Sequence, residues 1–189
     1  TLLPGNIPIQ QCLQRLLERQ VDARLCYIDL DNFKPFNDLY GYGKGDEILL
    51  GLAQLLRELC DPRCDFVGHI GGDDFMLVMR SDDWHARLQQ LDQRFQQLCR
   101  TLYRAEHIQA NGFTAPDREG KWRHHDLLNL SIGVISLPGH QASLYDAARL
   151  AELASRAKHD AKKQRGFSVV MQHPGQPLRE EDAPLNLCN

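Results

Sequence analysis

Residues 69–75 read His69-Ile70-Gly71-Gly72-Asp73-Asp74-Phe75, two glycines running into two carboxylates with apolar chain on both sides. The flanking runs at 65–70 and 73–80 are both strand-like, and only Gly71 and Gly72 part them. That is the strongest hairpin signal in the chain. A tight hairpin makes its two strands antiparallel neighbours, so a purely parallel doubly wound sheet is excluded. Further out, strand-like runs at 24–30, 130–137 and 167–171 alternate with helical patterns. The combination predicts an α+β fold, a mixed central sheet flanked by helices.

The helical patterns are amphipathic. Residues 6–20 place Ile9, Leu13, Leu16 and Leu17 on one face, and Gly43-Lys44-Gly45-Asp46 opens a helix that carries six apolar residues through about residue 60. Trp84, Leu88, Leu91, Phe95, Leu98 and Leu102 form a stripe on a long helix, with Ser81, Asp82 or Asp83 to cap it. Such a stripe fits the chain's own sheet better than a coiled-coil partner. Two short strands are expected around a turn at 117–120, and one helix over 144–163. The domain is expected to span 1–172, with 173–189, which lacks periodicity and holds three prolines, as a C-terminal tail or linker.

With 189 residues, a net charge of -3 and 42% hydrophobic content, the chain has the composition of a globular domain. The slight acidity gives no reason to expect nucleic acid as a partner. The six cysteines are scattered, and Cys60 and Cys64 have no second close pair to complete a zinc pattern, so reduced structural thiols are expected. There is no signal peptide and no apolar run of about 18 residues, so the segment is expected to be cytoplasmic and to make no membrane contact. It begins at Thr1 without a methionine, as a piece of a longer protein would.

Three clusters carry unusual chemistry. In YIDLDNFKPFND, Asp29 falls where an apolar central strand is still running, and an ionised carboxylate there is costly without a cation or strong donors. Asp31 or Asn32 could instead cap a helix, so Asp31 has two readings, a helix cap or part of the same site. The Gly71-Gly72-Asp73-Asp74 tip is a weak signal alone, but together with Asp29 it gathers three carboxylates, an arrangement a metal makes cheap. Hard oxygen ligands point to Mg²⁺ or Mn²⁺, and Mg²⁺ pairs carboxylates with phosphate oxygens, so a nucleoside triphosphate is implied. Lys158 and Lys162, four apart, share a helical face and matter only if the fold carries it to the phosphates.

In order and spacing, IDLDNFKPFND, YGYGKGDEIL, GGDDF, LSIGV and RAKHDAKK resemble the GGDEF domain of diguanylate cyclases, over 1–171 and including the LPGN lead-in. The resemblance implies the fold of class III nucleotide cyclases and the polymerase palm, a ferredoxin-like βαββαβ core. It implies a nucleotidyltransferase: a homodimer condensing two GTP into cyclic di-GMP, a bacterial second messenger, with release of pyrophosphate. By position, Asp29, the Leu30 carbonyl and Asp74 would hold the metal, and Asp73 would help deprotonate the 3′-hydroxyl. Asn37 and Asp46 match the guanine-binding positions. Lys34, Lys158 and Lys162 match phosphate-holding positions, helped by backbone N–H groups at Asn32 and Phe33, and Gly71 and Gly72 let the backbone pass close to the nucleotide.

The chain departs from the family in three places. Asp74 stands for the usual Glu, Tyr42 for a common His, and the Arg-x-x-Asp of the inhibitory product site has Pro62 in the Arg position, with Asp65 in place and Arg63 beside it. That product site is expected to be absent. The short acid predicts a cyclase weak with Mg²⁺ and relatively better with Mn²⁺. An alternative is an inactive GGDEF-like domain that binds GTP or cyclic di-GMP and regulates an attached module. The hairpin regions also resemble GGDEF domains found behind EAL and CBS domains, so such partner domains are expected.

Overall fold

Strand β1 (Ala23–Asp31) is the axis of the molecule, a computed structural model describing residues 1–116, 120–164 and 166–172. Its residues alternate between two buried faces, which explains the nearly continuous apolar run. β2 (Phe66–Gly71) and β3 (Asp74–Met79) form the expected hairpin, and β6 (Asn129–Leu137) and β7 (Ser168–Gln172) complete a five-stranded sheet ordered β2-β3-β1-β6-β7. β1 runs antiparallel to both β3 and β6, while β7 lies parallel to β6. The first four strands thus form the βαββαβ arrangement, with β7 added at the edge. β4 (Gly112–Pro116) and β5 (Trp122–Asp126) pair separately as the two expected short strands; residues 117–119 of their turn lie outside the described residues. So does the tail expected at 173–189.

Helices cover both faces. On one, Cys26, Ile28 and Leu30 of β1 and Phe75, Leu77 and Met79 of β3 pack under α2 (Phe33–Tyr40), α3 (Tyr42–Leu59) and α4 (Trp84–Leu102). On the other, Leu25, Met76, Val78 and Ile135 pack under α1 (Asn6–Arg19) and α6 (Ala147–Ala161). The α4 stripe therefore lies on the chain's own core, though Cys99 takes the buried place expected of Leu98, which packs instead over Gly51 of α3.

Several local expectations shift. The hairpin's central residues are Gly72 and Asp73, because Gly71 still pairs with Asp74 and a bulge intervenes after His69. Gly72 has φ +58, the sign a two-residue II′ turn needs at its first central position. The helix expected at 144–163 is broken. A 3₁₀ segment, Gly139–Leu144, ends before Asp146, whose side chain caps α6 by accepting from the Arg149 N–H. Asp83 holds the cap position of α4 but makes no side-chain cap bond; its carboxylate lies 3.8 Å from Arg87. The short helix α5 (Ala105–Gln109) has no counterpart among the sequence-based elements, and α2 was foreshadowed only by the cap reading at residues 31–32. Cys12, Cys26, Cys60, Cys64 and Cys99 are free thiols, and among the described residues no helix is long and apolar enough to cross a membrane.

Candidate functional site

The site is built by register. Asp29 of β1 stands directly opposite Asp74 of β3 on one side and Ser131 of β6 on the other, with all three side chains on the α6 face. Two carboxylates in directly opposed positions repel, so the pairing requires a cation. Asp73, at the hairpin tip, completes a group whose carboxylate oxygens lie within 4.8 Å of one another. Asp29 is only 3% exposed.

Two lysines answer these charges. Lys158 Nζ donates to Asp74 Oδ1 at 2.9 Å and to Asp29 Oδ2 at 3.2 Å, with its side chain 14% exposed. Lys162 Nζ lies 2.5 Å from Asp29 Oδ1, but out of line for a hydrogen bond, so that oxygen is buried beside a cation with no aligned donor. Both lysines come from the end of α6, which presses onto the sheet at Gly133. A Cβ at that position would stand 2.1 Å from the Lys158 backbone nitrogen, so only glycine admits the helix so close. Gly133 pairs with Tyr27, and the Lys158 ammonium sits 4.4 Å from the centroid of the Tyr27 ring.

The electrostatics follow from crowding. Burial pushes the Asp73 carboxyl up, and the Asp29 charge adds to the shift. Burial also raises Asp74, although Lys158 pulls the other way. Asp31 is pushed up to about 6, first by burial and then by the Asp29 and Asp73 charges, against the bond it accepts from Ser131 Oγ at 2.6 Å. For Lys158 burial acts downward, but the bond it donates to Asp74 and the two carboxylate charges outweigh it, and the ammonium is held above its ordinary value. Of the two readings open for Asp31, side-chain capping fails, because the cap residue is Asn32.

Asn32 turns the chain from β1 into α2 with a left-handed backbone, φ 63, which Asn tolerates better than most residues. The first turn of α2 then carries the N–H groups of Phe33 and Lys34, with Pro35 next in line. Lys34 is solvated and paired with Asp38 at 2.5 Å on its own helix. Asn37 lies against Gly45, and its Oδ1 is buried without a donor. Asp46, the next residue of α3, is exposed. Gly71 and Gly72 have open space where a Cβ would be, leaving the hairpin backbone accessible.

The residues at 62–65 stand apart. Asp65 precedes β2 while the hairpin tip follows it, a strand length of roughly 20 Å away. Its carboxylate is fully buried and paired with Arg87 at 2.7 Å, and it also accepts from the Asp61 and Arg80 backbone N–H groups. Arg63 is folded back onto Asp61 at 2.9 Å. His69, the one histidine beside the acidic tip, stacks on Phe75 and uses its ring nitrogens on Thr1 and the Gly72 carbonyl. Tyr27, Ser131 and Gly133 were not singled out from the sequence, since only the strand register shows that they border Asp29.

The donor set suits a hard divalent ion: three carboxylates, with Asp29 buried and its Oδ1 met by the Lys162 ammonium without an aligned hydrogen bond. Comparison with known proteins agrees with this chemistry. The family model described as "Diguanylate cyclase, GGDEF domain" matches residues 3–166. Diguanylate cyclase DgcN of Escherichia coli is 29% identical over 153 residues, covering 79% of this chain and 33% of that protein. Diguanylate cyclase DgcM of the same species is 48% identical over 58 residues, 31% of this chain and 14% of that one. The chain spans a third or less of the length of these curated relatives. Among solved structures, the GGDEF domain of PA1120 (YfiN or TpbB) from Pseudomonas aeruginosa superposes with TM-score 0.62 at 23% identity, covering 94% of this chain and 99% of that one. The GGDEF domain of DgcB from Caulobacter crescentus, solved in complex with c-di-GMP, gives 0.61 at 18% identity over 90% and 92%. With a family match across most of its length and the palm arrangement of strands beneath the acidic hairpin, this chain belongs to the GGDEF domain family.

Proposed function

We propose that this domain is a diguanylate cyclase module, condensing two GTP into cyclic di-GMP as one half of a homodimer. The observation that carries the reading is the convergence of Asp29, Asp73 and Asp74 at one end of the sheet, within 4.8 Å, beside the opening turn of α2. Asn37 and Asp46 hold guanine. The unsatisfied Asn37 Oδ1 and the Asp46 carboxylate are acceptors that suit the N1–H and exocyclic amine of guanine, and adenine offers no donors in those places. The Phe33 and Lys34 N–H groups, the Lys34 ammonium once it leaves Asp38, and Lys162 hold phosphates.

Asp29, Asp74 and the Leu30 carbonyl would hold Mg²⁺ or Mn²⁺, which supplies Lewis acidity to the attacking hydroxyl and charge neutralisation to the triphosphate. Asp73 takes the proton of the 3′-hydroxyl as that oxygen forms a bond to the α-phosphorus of the facing GTP. The bond from that phosphorus to the β-phosphate oxygen breaks, and pyrophosphate leaves. The same exchange in the other direction closes the ring. The product does not inhibit through the 62–65 segment, since Pro62 supplies no guanidinium and Asp65 is committed to Arg87. The module is proposed to work in the cytoplasm, attached to further domains such as EAL or CBS. One observation favours the second reading, a non-catalytic nucleotide-binding domain: Lys158 already sits on Asp29 and Asp74. Incubating the purified domain with GTP and Mg²⁺ or Mn²⁺, with pyrophosphate and cyclic di-GMP read together, decides between them. GTP binding without either product would leave only the second.

A further inference from the structure

We propose that His69 is a positioning residue for the acidic hairpin: its ring pins the Gly72 carbonyl at the tip and is itself held by the Thr1 hydroxyl of the lead-in. The proposal rests on the cyclase reading above, in which Asp73 at that tip takes the proton of the 3′-hydroxyl.

The tip needs a fastening. Gly71 and Gly72 have φ +148 and +58, with open space where a Cβ would stand, so neither supplies a side chain to hold the turn. The pairing of β2 with β3 slips between His69 and Gly71, which makes His69 the last residue of β2 in regular register, opposite Phe75. Its ring stacks on the buried Phe75 ring, with centroids 4.4 Å and planes 15° apart. From that stack Nε2 reaches the Gly72 carbonyl oxygen at 3.0 Å, on the peptide that leads into Asp73.

The chemistry of the partners fixes the direction of each bond. A carbonyl oxygen only accepts, so Nε2 carries the proton. In the neutral ring Nδ1 is then an acceptor, and Thr1 Oγ1, 3.0 Å away, donates to it. The same hydroxyl oxygen still accepts, and it faces the Leu3 N–H at 3.5 Å. A directed chain thus runs from the Leu3 N–H through the Thr1 hydroxyl and the His69 ring to the Gly72 carbonyl.

The lead-in is fastened in its turn. Arg57 of α3 donates to the Thr1 carbonyl at 2.5 Å, and the Pro4 carbonyl accepts from the His69 backbone N–H at 2.8 Å. Between these ties Leu2 takes a left-handed backbone, φ 58, and leaves its side chain 98% exposed. Strain of that kind persists only where the surroundings impose it. Here the ties at Thr1 and Pro4 impose it, and they bring the Thr1 hydroxyl to His69 at the cost of leaving a leucine in solvent.

If His69 only packed against Phe75, a phenyl ring would replace it. The first readout is ¹⁵N resonance of the histidine-labelled chain at pH 8, where an ordinary imidazole is neutral, with the His69 signals assigned by their absence in His69→Gln. The Nε2–H tautomer is expected in the wild type. The Nδ1 resonance of His69 should move in Thr1→Val and return in Thr1→Ser. An Nδ1–H ring in the wild type, or an Nδ1 signal that does not move in Thr1→Val, overturns the proposal. The second readout is cyclic di-GMP formation by variants shown to be folded by circular dichroism. His69→Phe keeps the stack and loses both ring bonds, so kcat should fall about tenfold with KM for GTP within about twofold of wild type. His69→Gln, whose amide N–H falls near the Nε2 position, should recover most of that loss. His69→Asn, whose amide falls near Nδ1, should not. Wild-type turnover in His69→Phe, a change in KM alone, or equal recovery by Gln and Asn overturns the proposal, and if His69→Phe does not fold the Gln–Asn contrast decides. If no form makes cyclic di-GMP, the cyclase reading fails, while the ¹⁵N spectra still decide whether the ring pins Gly72.

Discussion

Gly133→Ala tests whether the approach of α6 to the sheet is what positions the lysines. The new Cβ would lie 2.1 Å from the Lys158 nitrogen, 2.6 Å from the Ala157 carbonyl carbon and 2.7 Å from the Ala154 oxygen. All three are backbone atoms, so no side-chain rotation relieves the clash. Restoring ordinary contact near 3.4 Å moves α6 out by about 1.3 Å (3.4 minus 2.1). Overpacking of this kind costs about 1–3 kcal/mol, and a chain of this size loses about 2–4 °C of melting temperature per kcal/mol. A mid-range fall of about 6 °C is expected. The same displacement carries the ammonium from 2.9 Å to about 4.2 Å from Asp74. At an effective dielectric of 20 that removes at most about 2 kcal/mol of attraction, some of which the lysine recovers by extending. The carboxylates stay put, because they belong to the sheet and not to the helix. Mn²⁺ binding should therefore tighten even as the fold weakens. Scanning fluorimetry and Mn²⁺ calorimetry measure the two effects, with Gly43→Ala, which has open space around its Cβ, as the control expected within about 0.5 kcal/mol of wild type. A variant that melts with wild type, or that loses Mn²⁺ affinity, would refute the reasoning.

Asp74→Glu is expected to raise Mg²⁺-dependent pyrophosphate release, because the short acid is what weakens the cyclase with Mg²⁺, and Asp74→Ala should abolish it. A Glu variant no faster than wild type would show that the hairpin has adapted to the shorter ligand. Asp46→Ala should abolish the preference for GTP over ATP, a loss of about tenfold or more in GTP affinity by calorimetry, and equal affinities in the wild type would sink the guanine assignment. Asp65→Ala strands the Arg87 guanidinium in a buried site and should cost about 3–5 kcal/mol in urea unfolding, whereas Arg63→Ala on the surface should stay within about 0.5 kcal/mol. Similar small losses for both would show that Asp65 is not structural. Burial holds Cys26, Cys60 and Cys99 up to about 12, so at pH 8 they should resist a thiol reagent in the folded protein, react more as pH rises, and react fully on unfolding.

Much of the architecture was legible in local pattern. The β2–β3 hairpin, the α1 stripe and the α3 run needed only period and turn chemistry, and the structure keeps all three, with the hairpin's turn moved one residue on to Gly72 and Asp73. What escaped was short or interrupted. α2 has eight residues with a proline in its first turn, too little for a periodic signal, yet Phe33 and Phe36 anchor it in the core. The helical pattern across 144–163 concealed a break, because apolar spacing continues through Leu144 and Tyr145 while the backbone there is 3₁₀ and then extended. The cap signal belonged to Asp146, which lies inside the assumed helix.

The site shows the same limit one level higher. Asp29 could be suspected from sequence because an acid in a central strand violates the burial pattern, and Asp73 and Asp74 because they follow a turn. Their neighbours could not, because Tyr27, Ser131 and Gly133 are ordinary strand residues until the register sets them beside the acids. Lys158 is the instructive case. Helical spacing made it the twin of Lys162, and the family resemblance grouped both with phosphates. The sheet distinguishes them: Gly133 draws α6 in at residue 158, so that lysine bridges Asp29 and Asp74, while Lys162 at the helix end meets Asp29 alone and stays more than twice as exposed, 36% against 14%. Two residues of one type on one helical face thus acquire different depths and partners from a single absent Cβ on the strand beneath them. A substitution in the acidic motif has to be judged with that strand and helix included, because Asp74 is in direct contact with Lys158, whose depth the strand sets.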